Sequence, residues 1–271
     1  MTERDIKEIR KKVREKRPLI HCITNPISIN QCANTVLSTG ARPIMAEHPL
    51  EAAEITETAS ALMLNIANIT DARMESVRIS AQTAVQNNIP FILDIVGISC
   101  STLRREYVHS LIKDFSPTVI KGNYSEICAL YDSGYKSSGV DAHSSATIEK
   151  TVNAAVSSAK KYNSVILASG KRDIVTDGKK LLFADNGTSR LGEITGTGCM
   201  LGALAAAYLS CSDGFSAAAA ACVVLGICGE TASVHQGMGS FSTALFDALS
   251  LVSDGDIQEK IRVEENKLET I

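Results

Sequence analysis

The sequence predicts an α/β protein with a mostly parallel central sheet, helices on both faces and a short antiparallel hairpin at one edge. Three observations predict it. Short, continuously apolar runs at 61–66, 91–96, 118–121 and 165–168 alternate with longer stretches of helical periodicity, the pattern of strands buried on both faces. At 173–184 two apolar runs flank Asp177-Gly178, which is hairpin chemistry. After that hairpin only helical, alanine-rich segments are predicted.

The elements follow in order. Residues 2–17 are highly charged with Ile6, Ile9 and Val13 on one face, a surface helix that Pro18 ends. A strand covers 19–23, Thr24-Asn25-Pro26 turns the chain, and 29–38 is helical. Residues 40–43 read as a loop, 44–46 as a brief strand and 50–58 as a helix. After the strand at 61–66, Thr70 caps a helix to Asn87, and Pro90 opens the strand at 91–96. Ser101 starts a helix to about residue 115, and Pro117 opens the strand at 118–121, with a helix from Asn123. The Gly/Ser-rich stretch 133–145 reads as a loop, 148–162 as a helix and 165–168 as a strand. The hairpin strands are 173–176 and 181–184; helices are expected at 198–210, 216–236 and 240–252, with a short one at the C-terminus.

Composition bounds the function. The chain has 271 residues, 45% hydrophobic and 21% charged, enough for one large core and read as a single domain over 1–271. Aromatics are 4% and Trp is absent, so Ala, Ile, Leu and Val must fill that core. A net charge of −3 gives no support to a nucleic-acid or anionic-membrane surface. The eight cysteines form no C-x-x-C and no His pair has zinc spacing. The charged N-terminus lacks the apolar segment of a secretory signal, and scattered thiols in apolar context fit a reducing, cytoplasmic setting. The longest apolar run, 215–229, reads as too short to span a bilayer.

In parallel sheets, ligands bind beyond the C-terminal strand ends. That rule selects Asn25, Met45, Asn65, Asp94, Lys121-Gly122-Asn123, Ser169-Gly170 and the loop Thr195-Gly196-Thr197-Gly198-Cys199. The last is the most suggestive. Alternating glycines let backbone N–H groups of Gly196, Thr197 and Gly198 converge on an anion, and a helix begins there. Cys199 falls in its first turn, where the helix dipole is expected to lower a thiol's pKa. Asp94 ends an apolar strand, where a carboxylate must be hydrogen-bonded or functional. Asn123 and Glu126 read first as a capping box, which on these residues alone prevails over the other reading, water-mediated Mg²⁺ partners beside Lys121. Ser169-Gly170 is either a turn or a nucleotide phosphate site. Neither a P-loop nor a dinucleotide fingerprint is present.

Taken together, the residues 24–30 (TNPISIN) with Ala33-Asn34, 40–46 (GARPIMA), Lys121-Gly122-Asn123 with Glu126, and 195–202 (TGTGCMLG) resemble the hydroxyethylthiazole kinase family. The resemblance implies a ribokinase-like fold and transfer of the ATP γ-phosphoryl group to 4-methyl-5-(2-hydroxyethyl)thiazole, a thiamine biosynthesis and salvage step. It implies Mg²⁺, with Asp94, Glu126 and Asn123 as its residues, and a homotrimer with active sites between subunits. Met45, Gly196 and Asn25 would contact the thiazole, Lys121 and Ser169 the ATP, and Cys199 would hold the catalytic-base position. The family usually has Arg at 121 and Thr at 169, so Lys121 keeps the charge without the guanidinium fork. The family's Asp-Pro-Val-Gly appears as Asp94-Ile95-Val96-Gly97. The alternatives are a related kinase of a pyrimidine or pyridoxal alcohol, or a non-catalytic ligand sensor.

Overall fold

The computed structural model describes residues 1–135 and 147–268. Helices and strands alternate through the first half: α1 (Glu3–Lys16), β1 (Leu19–Ile23), α2 (Ile29–Ser38), β2 (Arg42–Ile44), α3 (Pro49–Glu57), β3 (Ala61–Asn65), α4 (Asp71–Gln86), β4 (Phe91–Asp94), α5 (Thr102–Phe115), β5 (Val119–Asn123) and α6 (Tyr124–Tyr131). There follow α7 (Ile148–Tyr162), β6 (Val165–Ser169), β7 (Asp173–Thr176), β8 (Lys180–Ala184), α8 (Thr197–Leu209), α9 (Gly214–Ala232), α10 (Met238–Leu251), α11 (Asp254–Lys260) and β9 (Val263–Lys267), with a 3₁₀ turn at Ser189–Glu193 before α8. Thr70, Ser101 and Asn123 cap their helices as the sequence predicts.

The sheet order is β2-β1-β3-β4-β5-β6-β7-β8-β9. Pairings from β2 through β6 are parallel, and those from β6 through β9 are antiparallel. The chain steps from β1 to β2 on one side and to β3 on the other, so the order reverses at β1, the place where such sheets open a crevice. Side chains alternate across the sheet. Ile20, Cys22, Met63, Ile92, Val119 and Leu167 face one core layer with α1, α2, α8, α9 and α10. Leu62, Leu64, Leu93, Ile120 and Ile166 face the other, with α4, α5, α6 and α7. The same parity carries Asn65, Asp94, Lys121 and Ser169 onto the α8 face.

The sequence reading needs four corrections. First, β2 begins at Arg42, two residues early, and contains Pro43; an edge strand tolerates a residue that cannot donate to the ladder. Second, β9 pairs antiparallel with β8, so helices are not all that follows the hairpin. Its sequence, VEENK, is mostly exposed and shows no apolar alternation, so only its partner defines it. Third, α9 is long and apolar enough by composition to cross a membrane, but it is mostly buried inside the fold, packed on α8, α10 and the sheet. A helix apolar all round is a core helix when the protein surrounds it. Fourth, that helix ends at Ala232, short of the expected residue 236. Most of the loop expected at 133–145 lies outside the described residues.

One glycine of α9 lets the loop after β8 pack directly against the helix. A Cβ at Gly226 would sit 2.4 Å from the Asn186 carbonyl oxygen. That loop has little room to retreat: Asn186 donates to the Lys260 carbonyl at 2.8 Å, and Gly187 N–H donates to Glu230 at 2.6 Å. Gly226→Ala should therefore cost about 1–3 kcal/mol through overpacking. Gly239, in the first turn of α10, has nothing within 4 Å, so Gly239→Ala should be neutral or stabilising by up to about 1 kcal/mol. Urea midpoints of the two variants check the contrast, and equal midpoints would overturn it.

Candidate active site

The strand ends form a row. Crossing the sheet from β2 to β6, Met45, Asn25, Asn65, Asp94 and Ser169 stand at or just past the strand ends, and Lys121 stands two residues inside the end of β5, which runs on past the expected residue 121. Five strand spacings make the row about 24 Å long. Asn65 pairs in register with Asp94, Asp94 with Lys121, and Asn123 with Ser169. Met45 is half-buried at the sheet edge, and Ser169 is half-buried with its hydroxyl 3.4 Å from the Gly122 carbonyl oxygen.

The middle of the row is a bonded cluster. Lys121 Nζ donates to both Asp94 oxygens at 3.1 Å. Asp94 is fully buried and Lys121 is 3% exposed. Asn65 Nδ2 donates to Asp94 Oδ2 at 2.8 Å and lies 3.3 Å from Cys199 Sγ. Asn25 Nδ2 is 3.4 Å from the same sulfur. The N-terminus of α8 closes over this cluster. Gly196, its N-cap, has φ +96°, a conformation that favours glycine, and packs against Ser28 and Gln31 of the preceding turn and α2. The first helical bond runs from Met200 N–H to the Gly196 carbonyl at 2.8 Å. The amides of Thr197, Gly198 and Cys199 therefore precede it and have no intrahelical acceptor. Lys121 Nζ reaches to 3.4 Å from where a Cβ on Gly198 would stand, so the ammonium lies against the first turn of α8. The Thr197 hydroxyl donates back to the Leu191 carbonyl at 2.6 Å, which leaves its backbone N–H as the group available to an anion.

Burial dominates the electrostatics. It raises the Asp94 carboxyl, and Lys121 and Asn65 pull it back. Burial alone would lower the Lys121 ammonium, but Asp94, Cys199 and Glu126 outweigh it and hold the group above its ordinary value. The Cys199 thiol is pushed up, by burial first and by Asp94 next, against the lowering effect of Lys121, Ser28 and Asn25. This corrects the expectation that the helix start lowers it: Cys199 is only 9% exposed, and the Asp94 carboxylate acts on it.

Glu126 does what the capping box requires and more. Oε2 accepts from Asn123 N–H at 2.7 Å, and Oε1 accepts from Gly97 N–H at 2.7 Å, tying the loop after β4 to the start of α6. Burial pushes its carboxyl up to about 7, against Lys121. Among the described residues no group of three or more His, Cys, Asp and Glu side chains could hold a metal ion directly. The residues do fit a hydrated Mg²⁺: Glu126 keeps lone pairs beyond its two backbone bonds, and Asn123 stands beside it. Asp94, the third residue of the expected set, is engaged by Lys121 and Asn65.

The strand-end rule picked out Asn65 but gave it no role; the structure makes it the bridge between carboxylate and thiol. Asp173 was missed. It accepts from Gly170 N–H at 2.9 Å and shapes the turn after β6, and its burial raises the carboxyl to about 6. A carboxylate opening an apolar strand was the available signal. His21, isolated in sequence, is fully buried between the Ala46 carbonyl and Thr56, a structural role.

Comparison with known proteins shows the family of the chain. Residues 10–254 match the model of the hydroxyethylthiazole kinase family. Hydroxyethylthiazole kinase 2 of Clostridium botulinum (strain Langeland) is 45% identical, covering 94% of this chain and 98% of that protein. The hydroxyethylthiazole kinase of Finegoldia magna is 39% identical, covering 94% of each chain. The structure of hydroxyethylthiazole kinase from Pyrococcus horikoshii superposes with a TM-score of 0.89 at 31% identity, over 97% of this chain and 99% of that one. A pyridoxal kinase of Staphylococcus aureus, in complex with AMP-PCP and pyridoxal, shares the fold, with a TM-score of 0.63 at 15% identity over 92% of this chain and 98% of that one.

The elevated Glu126 carboxyl has a stability consequence. Its folded value of about 7 exceeds its ordinary 4.5, so the stability it contributes is full below 4.5 and is lost as pH rises through 7. The unfolding free energy of the wild type minus that of Glu126→Gln should fall by up to about 3 kcal/mol between pH 5 and 8. Urea denaturation of both proteins at the two pH values checks this; a difference independent of pH would refute it.

Proposed function

The chain belongs to the hydroxyethylthiazole kinase family, and from that membership and the strand-end cluster we infer that it transfers the ATP γ-phosphoryl group to the hydroxyl of 4-methyl-5-(2-hydroxyethyl)thiazole. The product is the thiazole phosphate used in thiamine biosynthesis. What carries the reading is the meeting, at one point, of a buried ammonium, the amides that open α8 and a thiol beside them.

The row divides the work. Met45, Asn25 and Gly196 would hold the thiazole around β1, where the sheet order reverses. Lys121 and Ser169 would take the nucleotide phosphates on the β5–β6 side. The hydroxyl oxygen attacks the γ-phosphorus, the bond to the β-phosphate oxygen breaks and ADP leaves. Charge on the transferring group would be met by Lys121 Nζ and by the Thr197, Gly198 and Cys199 amides, which are already in place. The hydroxyl proton would pass to Cys199 Sγ. Glu126 and Asn123 would hold Mg²⁺ through water; when bound, the ion neutralises phosphate charge. The assembly proposed is a homotrimer with active sites between subunits, each chain a single kinase domain, acting in the cytoplasm.

Because the thiol is pushed up, its ionised fraction is small at neutral pH and grows about tenfold per pH unit. The wild-type kcat should therefore climb with pH beyond 9. Cys199→Ala should be slower, flat over the same range and still active, since the charge clamp remains. Cys199→Asp should keep or raise activity at neutral pH, and its profile should level off earlier. Measuring kcat against pH for the three proteins checks this. If Cys199→Ala matched the wild type throughout, the thiol would be only a small residue at a helix start. In an ADP-release assay the thiazole alcohol should outperform hydroxymethylpyrimidine and pyridoxal; the reverse order would overturn the substrate.

A further inference from the structure

We propose that Asn65 is a positioning residue for the reaction, fixing the Cys199 sulfur against the Asp94–Lys121 pair by giving one amide hydrogen to each side. This rests on the reading of Cys199 given above.

The orientation of the Asn65 amide is determined by the backbone. Its Oδ1 accepts from Ala67 N–H at 2.9 Å, so Nδ2 is the end that faces the cluster. From there Nδ2 reaches Asp94 Oδ2 at 2.8 Å and Cys199 Sγ at 3.3 Å, and an amide nitrogen has two hydrogens to give. Asn25 repeats the arrangement from β1. Its Oδ1 accepts from Ile27 and Ser28 N–H at 3.1 and 3.2 Å, which turns Nδ2 towards Asn65 Oδ1 at 3.3 Å and Cys199 Sγ at 3.4 Å. The sulfur thus faces two amide donors. Ser28 is a further side-chain partner of the sulfur, and like Asn25 it favours the ionised form.

The direction in which the sulfur can meet a substrate hydroxyl is therefore set by two asparagines, of which Asn65 need touch neither substrate nor phosphate. Of the two, Asn65 also contacts Asp94. An aspartate at 65 would keep the shape but aim oxygen lone pairs at both the sulfur and Asp94, removing the donors without changing access to the thiol.

The test is a double-mutant cycle with a chemical readout. Asn65→Ala and Asn65→Asp are made in the wild-type and Cys199→Ala backgrounds, folding is confirmed by circular dichroism, and kcat and KM are measured. Separately, alkylation of Cys199 by iodoacetamide is followed by peptide mass spectrometry. In the wild-type background, kcat should fall at least about tenfold with both KM values within about threefold; with Cys199 absent the loss should be under about twofold. Alkylation of Cys199 in Asn65→Asp should be at least about tenfold slower. Should Asn65→Asp fail to fold, Asn65→Leu, which removes the donor at similar side-chain volume, carries the same alkylation comparison. Equal losses of kcat in both backgrounds would make Asn65 merely structural and overturn the proposal. So would unchanged alkylation. If Cys199→Ala alone matched the wild type, the base reading would fail, and the alkylation rate would still decide Asn65.

Discussion

The buried pair of Lys121 and Asp94 constrains everything around it. Two charges out of water cost several kcal/mol each unless geometry and further hydrogen bonds compensate. Here the ammonium meets both carboxylate oxygens, and Asn65 supplies a further donor to Oδ2. The pair forms because β4 and β5 are in register at Asp94 and Lys121, on the face that α8 covers. Above it the helix must come close, which its small residues permit. A Cβ at Gly202 would stand 3.7 Å from Asp94 Oδ2, one helical turn after Gly198 approaches Lys121. Larger side chains at these two positions would lift the helix start from the pair and separate the amides from the ammonium.

That proximity sets two positive elements against each other. The helix start and the ammonium repel, and Asp94 answers the ammonium through both carboxylate oxygens. The same cluster holds a second carboxylate, Glu126, whose bonds to Gly97 and Asn123 brace the strand-end loops on either side of Lys121. The site is therefore rigid on the side where phosphate charge would fall. Fixed donors need no reorganisation when charge develops, which is the efficient arrangement for a phosphoryl transfer that asks mainly for positioning and neutralisation.

The sequence made most of this legible, and what it missed has a physical cause. Buried parallel strands are apolar runs ending in a polar residue, so Asn25, Asn65, Asp94, Lys121 and Ser169 were visible one by one. Their junction was not, because register between strands is a tertiary property: nothing in residues 61–66 says that Asn65 lies opposite Asp94. The strand β9 was invisible for the converse reason. An exposed edge strand of Glu, Asn and Lys carries no core face, and its pairing with β8 defines it. At β2 the proline read as loop chemistry, although an edge strand accepts it. Cys199 was placed correctly at the helix start, but the sign of its shift was not. A dipole argument needs only local sequence, whereas the depth of a sulfur and its distance from Asp94 need the fold.

The raised thiol also bears on how such a base works. Deep burial makes the ionised sulfur scarce at neutral pH, and the same shift makes it a stronger base when it forms. These effects oppose each other, and the balance depends on how far the proton has moved when the phosphorus–oxygen bond breaks. In a largely dissociative transfer the attacking hydroxyl is still weakly bonded at the summit, so little proton transfer is needed there. The strength of the base then counts for little and its scarcity for more, so the rate follows the ionised fraction, provided the sulfur waits in the right place. Two backbone-oriented asparagines on the sulfur serve that condition. On this view the cluster secures the position of the base more than its ionisation, and most of the rate acceleration falls to the ammonium and the amides of α8.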